Sequence, residues 1–134
     1  MATKKITLFT ALIFSLILAS CSSDGDSNSN SNDKINPPGW IQGTWINDLE
    51  TGGFRITTDD ICIVTGNIQQ CYKDILKQTD GSVVQKNVKE VITNDYYSIE
   101  ITLSSVIITY EFERVSDTEI EYIDSIMNTV LTKQ

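Results

Sequence analysis

The stretches YYSIEITL at 96–103 and VIITYEFERV at 106–115 decide how this chain folds. In both stretches apolar and polar residues alternate with a period of two, which is typical of a β-strand with one face in a core and one in water. If the chain turns at the two serines between them, Ile101 comes to lie opposite Ile108 and the two apolar faces coincide. The sequence therefore predicts an antiparallel β-hairpin here.

The rest of the domain also reads as short strands separated by turn residues, among them the pair Asp59-Asp60. Outside the hairpin, strands are predicted at 40–47, 54–58, 61–65, 82–93 and 119–124. The tail at 127–133 is compatible with a final strand or a short helix, and a strand is favoured. Eight short antiparallel strands are expected to curl and close, because closure removes exposed edges. The predicted fold is therefore all-β, a small eight-stranded barrel.

One segment, 67–78, departs from the strand pattern. Its apolar residues fall at i, i+3, i+4, i+7 and i+8, which is one face of a helix, and they are Ile68, Cys71, Tyr72, Ile75 and Leu76. A short helix inserted after the third strand, with Asn67 as its N-cap, is the favoured interpretation. The alternative is a hairpin that turns at Gly66 and Asn67, which would place Cys62 directly across from Cys71.

The N-terminus has the order of a secretory signal peptide. Lys4 and Lys5 precede an apolar run at 6–18, and small residues then precede Cys21. The run is shorter than the roughly 20 residues that a membrane-spanning helix needs. Leu-Ala-Ser-Cys at 18–21 resembles the lipobox of bacterial lipoproteins. This resemblance implies that residues 1–20 are removed and that Cys21 carries the lipid as the first residue of the mature chain.

The segment after Cys21 consists of small and polar residues as far as Lys34, with nothing apolar to bury. Residues 21–38 are therefore predicted to be a disordered tether, followed by a domain at 39–134. Asp24 and Asp26 have two interpretations. They either only keep the segment solvated, or they act as an export signal, since acidic residues at this place resemble the export signals of some surface lipoproteins. Ser22 departs from the Asp that retains lipoproteins in the inner membrane. The expected location is therefore the outer membrane of a Gram-negative bacterium, on its periplasmic or surface face.

Composition excludes several classes of function. The formal charge is −8, and removal of Lys4 and Lys5 with residues 1–20, which hold no acids, makes it −10. Such a chain lacks the basic face that nucleic acids require. The sequence has no histidine, so it has no Ser-His or Cys-His pair and no imidazole ligand for a metal. We expect a non-enzymatic protein without a metal or cofactor.

Cys62 and Cys71 are the two cysteines other than Cys21. In an exported chain they are predicted to form a disulfide, because the compartment is oxidising and the domain is small. Free buried thiols are the alternative.

Gly43-Thr44-Trp45 opens the domain ahead of about seven further predicted strands. Gly-x-Trp at the start of the first strand resembles lipocalins and the wider calycin group, and the run from Pro37 onward looks like the small lipocalin-like domains of bacterial lipoproteins. The resemblance implies that Trp45 plugs the closed end of the barrel. It also implies that Arg114, at the end of the inward face of the sixth strand, packs over the Trp45 ring.

The inward face of the predicted barrel is bulky, and its side chains can either fill the core or line a pocket. These residues are Phe54, Ile56, Tyr97, Ile99, Ile101, Tyr110, Phe112 and Tyr122. The predicted function is that of a non-catalytic, membrane-anchored binding lipoprotein that can hold a small apolar ligand in its barrel. The alternative is a structural or interaction lipoprotein with a filled core that contacts another envelope protein.

Replacement of the lipobox cysteine tests the anchor. Cys21→Ala is expected to abolish lipid attachment because it removes the sulfur that accepts the lipid, whereas the neighbouring Ser22→Ala leaves attachment intact. Incorporation of labelled palmitate and partition into a detergent phase measure both effects. A wild-type protein that is unlabelled and stays in the aqueous phase would contradict the prediction.

Overall fold

The computed structural model describes residues 34–79 and 85–134. The predicted signal peptide, Cys21 and the tether as far as residue 33 lie outside the described residues. Ile35 is only 4% exposed and belongs to the hydrophobic core. Packing therefore begins before the predicted domain boundary at residue 39. Among the described helices, none has the length and apolar character that crossing a bilayer requires.

The described chain consists of β-strands with two short helices, as the all-β prediction requires. A 3₁₀ helix at Gly39–Ile41 is followed by β1 (Gly43–Asn47), β2 (Gly52–Ile56), β3 (Ile61–Thr65), β4 (Ile68–Cys71), α1 (Tyr72–Gln78), β5 (Lys86–Ile92), β6 (Tyr96–Leu103), β7 (Val106–Arg114), β8 (Glu119–Ile123) and β9 (Thr129–Lys133). The described strands number nine rather than the predicted eight, and the tail is a strand.

All nine strands belong to one antiparallel sheet, in the order β4-β3-β2-β1-β9-β8-β7-β6-β5. Two runs of sequential hairpins, β1 to β4 and β5 to β9, meet where β1 pairs with β9. The strands β4 and β5 are the two edges, and α1 lies between them in the chain. The predicted closed barrel is thus replaced, in the described part of the chain, by a sheet with two edges.

The sheet is strongly curled. Phe54 on β2 and Phe112 on β7 are separated by four strand spacings, which would amount to about 19 Å in a flat sheet. Their ring centroids are nevertheless 5.0 Å apart. Curling brings the two halves of the apolar face together, so that the sheet covers its own core.

The predicted hairpin at 96–115 is confirmed in its register. Ile101 pairs with Ile108, and Ile99 pairs with Tyr110. The turn bends at Ser104, which adopts a φ of 55°. The inward faces of β6 and β7 therefore coincide as the alternation requires.

The predicted helix at 67–78 is wrong in its first part, where the hairpin alternative is correct. Ile68–Cys71 is strand β4, which follows a turn at Gly66 (φ 56°) and pairs with β3. Ile68 is 73% exposed, so it does not share a buried face with Tyr72 and Leu76. The helical periodicity holds only from Tyr72 onward. Cys71 lies directly opposite Cys62, and the predicted disulfide joins them.

Close packing between β1 and β2 leaves no room for a side chain at Gly53. A Cβ atom there would lie 1.9 Å from the carbonyl oxygen of Trp45, whereas a Cβ at Gly39 would meet nothing within 4 Å. Gly53→Ala is therefore expected to lower the free energy of unfolding by about 3 kcal/mol or more, because two backbones must separate. Gly39→Ala, the matched control, is expected to change it by less than about 0.5 kcal/mol.

Urea unfolding of the purified protein measures both glycine variants. Equal stability of the two would contradict the close approach of β1 and β2.

Candidate functional site

The turns of the sheet fall into two groups, one at each end. The N-terminal end holds the 3₁₀ helix and the turns at 57–60, 93–95 and 115–118. The opposite end holds the turns at 48–51, 66–67, 104–105 and 124–128. The residues predicted to matter for function are divided between these two ends and the interior.

Trp45 lies in the middle of β1 and is completely buried. Its indole Nε1–H donates to the carbonyl oxygen of Ile41, 2.6 Å away, which ties the 3₁₀ helix to the sheet. The cation over its ring is Lys133, whose Nζ lies 5.0 Å from the ring centroid. Lys133 is the register partner of Trp45 on β9.

Arg114 contacts a different tryptophan from the one predicted. Its guanidinium carbon lies 5.9 Å from the centroid of the Trp40 ring. Trp40 is held in turn by its indole Nε1–H, which donates to the carbonyl oxygen of Thr93. The strands β8 and β9 separate Arg114 from β1, and the adjacent Lys133 occupies the position over Trp45. The predicted pairing of Arg114 with Trp45 is therefore corrected to a pairing with Trp40.

The interior is filled by the residues predicted to line it. All eight belong to the core or pack against it. The Phe54 ring lies 5.3 Å from Tyr110, 5.0 Å from Phe112 and 5.0 Å from Tyr122, measured between centroids. These short separations mean that the inward side chains contact one another.

Helix α1, which joins the edge strands β4 and β5 in the chain, contributes two further side chains to the core. Its residues Tyr72 and Leu76 are buried in the same core. The Tyr72 and Tyr110 hydroxyl groups are 2.6 Å apart and share a hydrogen bond. Burial raises the pKa of Tyr110, so its hydroxyl stays protonated at neutral pH. Every buried side-chain nitrogen and oxygen of the described residues has a hydrogen-bond partner.

A groove of about 260 Å³ lies beside β7 and β8. It is lined by Thr109, Glu111, Tyr122, Ile123, Asp124 and Ser125. Ligand pockets are usually larger than about 300 Å³ and mostly apolar. This groove is small and mostly polar, and Tyr122 is its one residue from the predicted ligand wall.

The disulfide lies near the N-terminal end, next to Asp60, whose pair with Asp59 is predicted from the sequence to be a turn. Asp60 Oδ2 is 3.8 Å from Cys62 Sγ, and Asp60 Oδ1 accepts the backbone N–H of Lys73 at 2.8 Å. Burial is the main cause that raises the pKa of Asp60. Because both cysteines are oxidised, neither offers a thiolate to a metal ion. The hairpin pairing of β3 with β4 places Cys62 opposite Cys71. This pairing was the sequence signal that could have identified the disulfide beside Asp60.

The opposite end of the sheet carries exposed apolar side chains, and we call it the apolar end. Ile126 is 94% exposed and Leu49 is 79% exposed. The residues that define the apolar end are Leu49, Ile68, Val106, Ile107, Ile126 and Met127. All of them lie in the turns at this end or in the first residues of the strands that leave those turns.

The charges in these turns are all of one sign. The turns at 48–51, 66–67, 104–105 and 124–128 contain Asp48, Glu50 and Asp124, and they contain no lysine or arginine. Asp124 accepts the backbone N–H of Ile126 at 3.0 Å, and hydrogen bonding lowers the pKa of its carboxyl group. The turns of the apolar end thus carry acidic side chains beside the exposed apolar ones.

Comparison of the chain with protein-family models, curated proteins and solved structures finds no match.

The corrected partner of Arg114 can be tested by coupling energies. Trp40→Ala and Arg114→Ala are expected to be non-additive by about 0.5 kcal/mol or more, because the two side chains are in contact. Trp45→Phe and Arg114→Ala are expected to be additive within about 0.3–0.5 kcal/mol, because Lys133 and not Arg114 lies over the Trp45 ring. Double-mutant cycles by urea unfolding give both values. If Arg114→Ala were coupled to Trp45→Phe and additive with Trp40→Ala, Arg114 would contact Trp45, as the lipocalin resemblance implied.

Proposed function

We propose that this protein is a non-catalytic lipoprotein, anchored in the outer membrane through Cys21, that binds another envelope protein with its apolar end. The observation that carries the proposal is the set of exposed apolar side chains gathered in the turns of that end. Single exposed apolar residues are common on proteins, but several at one place mark a contact surface. The anchor rests on the lipobox-like sequence at 18–21.

The filled interior favours this function over transport of a small ligand. A carrier needs an apolar cavity, whereas the aromatic rings of Phe54, Tyr110 and Phe112 contact one another where such a cavity would lie. The curled sheet is therefore better suited to present a surface than to enclose a molecule.

Charge favours a protein over a membrane as the occupant of the apolar end. Asp48, Glu50 and Asp124 repel the anionic headgroups that attract most peripheral proteins. The same carboxylates complement a partner whose apolar contact residues are surrounded by lysine or arginine. A second copy of this chain is a poor partner for the same reason, since it would bring acids against acids.

The point of attachment also leaves the apolar end accessible. The backbone N–H of Asn36 donates to the carboxylate of Glu90, near the N-terminal end of the sheet, at 2.9 Å. The chain therefore enters the domain at the end opposite the apolar one. A tether from Cys21 that joins the domain there leaves the apolar turns directed away from its attachment point.

Site-specific photocross-linking in cells tests the proposal. A photoreactive amino acid at Ile126 is expected to give one discrete protein adduct, because this side chain projects from the apolar end. The same amino acid at Val115, an exposed apolar residue at the N-terminal end, is the matched control and is expected to give none. Identical adducts at both positions, an adduct with lipid, or an adduct with a second copy of this chain would overturn the proposal.

Surface variants show whether the adduct depends on apolar contact and charge. Leu49→Asp with Met127→Asp is expected to reduce the Ile126 adduct at least tenfold, since it places charges in the contact. Asp124→Lys is expected to reduce it as well, because it reverses a complementary charge. Val91→Asp, outside the apolar end, is expected to leave it unchanged. Loss of the adduct with Val91→Asp alone would contradict the assignment of the surface.

A further inference from the structure

The two cysteines of the disulfide differ in their exposure to solvent. Cys62 is only 2% exposed, whereas Cys71 is partly exposed and lies on the edge strand β4. The side-chain amide of Gln69, which is itself exposed, lies 3.1 Å from the Cys71 sulfur. An external thiolate can therefore approach Cys71, and attack there makes the Cys62 sulfur the leaving group.

A buried leaving sulfur needs a proton. A thiolate expelled at Cys62 would be a desolvated anion, which is unfavourable unless it is neutralised. The carboxyl group of Asp60 can supply this proton when it is protonated. Its Oδ2 lies 3.8 Å from Cys62 Sγ, and the residue is only 9% exposed. A disulfide sulfur carries no proton, so in the oxidised protein only a protonated Asp60 can donate across this contact.

We propose that the Cys62–Cys71 disulfide exchanges with the dithiol of a partner protein, and that Asp60 protonates the Cys62 sulfur as it leaves. This inference does not depend on the proposed function, because it concerns the opposite end of the molecule.

The exchange takes place in two balanced steps. A partner thiolate attacks Cys71 Sγ, a mixed disulfide forms, the Cys62–Cys71 bond breaks, and the Cys62 sulfur takes the Asp60 proton to become a thiol. The second thiolate of the partner then attacks the partner sulfur of the mixed disulfide and releases the Cys71 thiolate, which water protonates. Two electrons pass from the partner dithiol to this protein, and the partner is left as a disulfide.

The surroundings of Asp60 keep its proton available above the ordinary pH range of a carboxyl group. Burial raises the pKa of the Asp60 carboxyl group above its ordinary value, and the nearby carboxyl groups of Asp74 and Asp59 raise it further. The backbone N–H groups of Lys73 and Ile61 act in the opposite direction, and the Lys73 ammonium group is paired with Asp59. Because the folded pKa is raised, the acid form persists to a higher pH than that of an ordinary carboxyl group and is lost as pH rises through the folded pKa.

Reduction by dithiothreitol tests the role of Asp60, in a Cys21→Ala background that leaves only the disulfide cysteines. The second-order rate constant, divided by the thiolate fraction of the reagent, is measured between about pH 4 and pH 8. We expect it to be about tenfold higher below the pKa of Asp60 than above it, as expected of a general acid. Asp60→Asn retains an acceptor for the Lys73 N–H but has no acid proton, and it is expected to show no such dependence.

Asp59→Asn is the matched control, because it changes the adjacent carboxyl group, which is exposed and farther from the sulfur in sequence. It is expected to keep a pH-dependent rate whose midpoint moves to lower pH, because the Asp59 carboxylate contributes to the raised pKa of Asp60. A wild-type profile that is flat, or that is identical in Asp60→Asn, would overturn the role of Asp60.

Single-cysteine variants test which sulfur an external reagent can reach, even if Asp60→Asn fails to fold. Both variants are made in the Cys21→Ala background. Cys62→Ser leaves Cys71 as the one cysteine, and Cys71→Ser leaves Cys62. The remaining Cys71 is expected to react with an aromatic disulfide reagent at least tenfold faster than the remaining Cys62. Release of the coloured thiol measures both rates, and intact mass identifies the mixed disulfide. Equal rates, or a faster Cys62, would overturn the proposed direction of attack.

Discussion

The pairing of β1 with β9 is the interaction on which the rest of the structure depends. Each half of the sheet is a series of hairpins between strands adjacent in sequence, and β1 with β9 is the junction between them. It joins residues at opposite ends of the domain, so its formation carries the largest loss of chain entropy. Burial of Trp45 and the Lys133 cation over its ring stabilise this junction. Without it, the inward faces of β2 and β7 would not meet.

The sequence predicts those features of the fold that depend on residues close together in the chain. Alternation at 96–115 predicted both the hairpin and its register, because side-chain direction in a strand repeats every two residues. The helix boundary was not predictable in the same way. Ile68 and Cys71 fit the helical spacing of Tyr72 and Leu76, but pairing with β3 and the bond to Cys62 hold them in a strand. Tertiary contacts outside the segment decided between two locally acceptable structures. The ninth strand follows from the same four residues.

The candidate sites depend more heavily on contacts that no short stretch of sequence encodes. Arg114 faces Trp40 because the turn at 93–95 holds the Trp40 indole close to the end of β7, and neither spacing nor composition expresses that arrangement. The importance of Asp60 likewise follows from its burial beside Cys62, whereas its sequence neighbour Asp59 is exposed and paired with Lys73. The inward set was predictable as a set, but only the ring separations show that its members fill the space between them.

Because its inward side chains contact one another, the protein offers its surface for binding. The two ends of the sheet differ in the side chains that they expose. The apolar end combines exposed aliphatic side chains with carboxylates, which suits a lasting contact with a basic partner. The N-terminal end holds the disulfide with one accessible sulfur and a buried carboxyl group, which suits a transient covalent contact. Because the β3–β4 hairpin carries both Ile68 and Cys71, reduction of the disulfide would loosen a strand that reaches from one end to the other. Strand β4 thus runs from the disulfide at Cys71 to Ile68 in the apolar end.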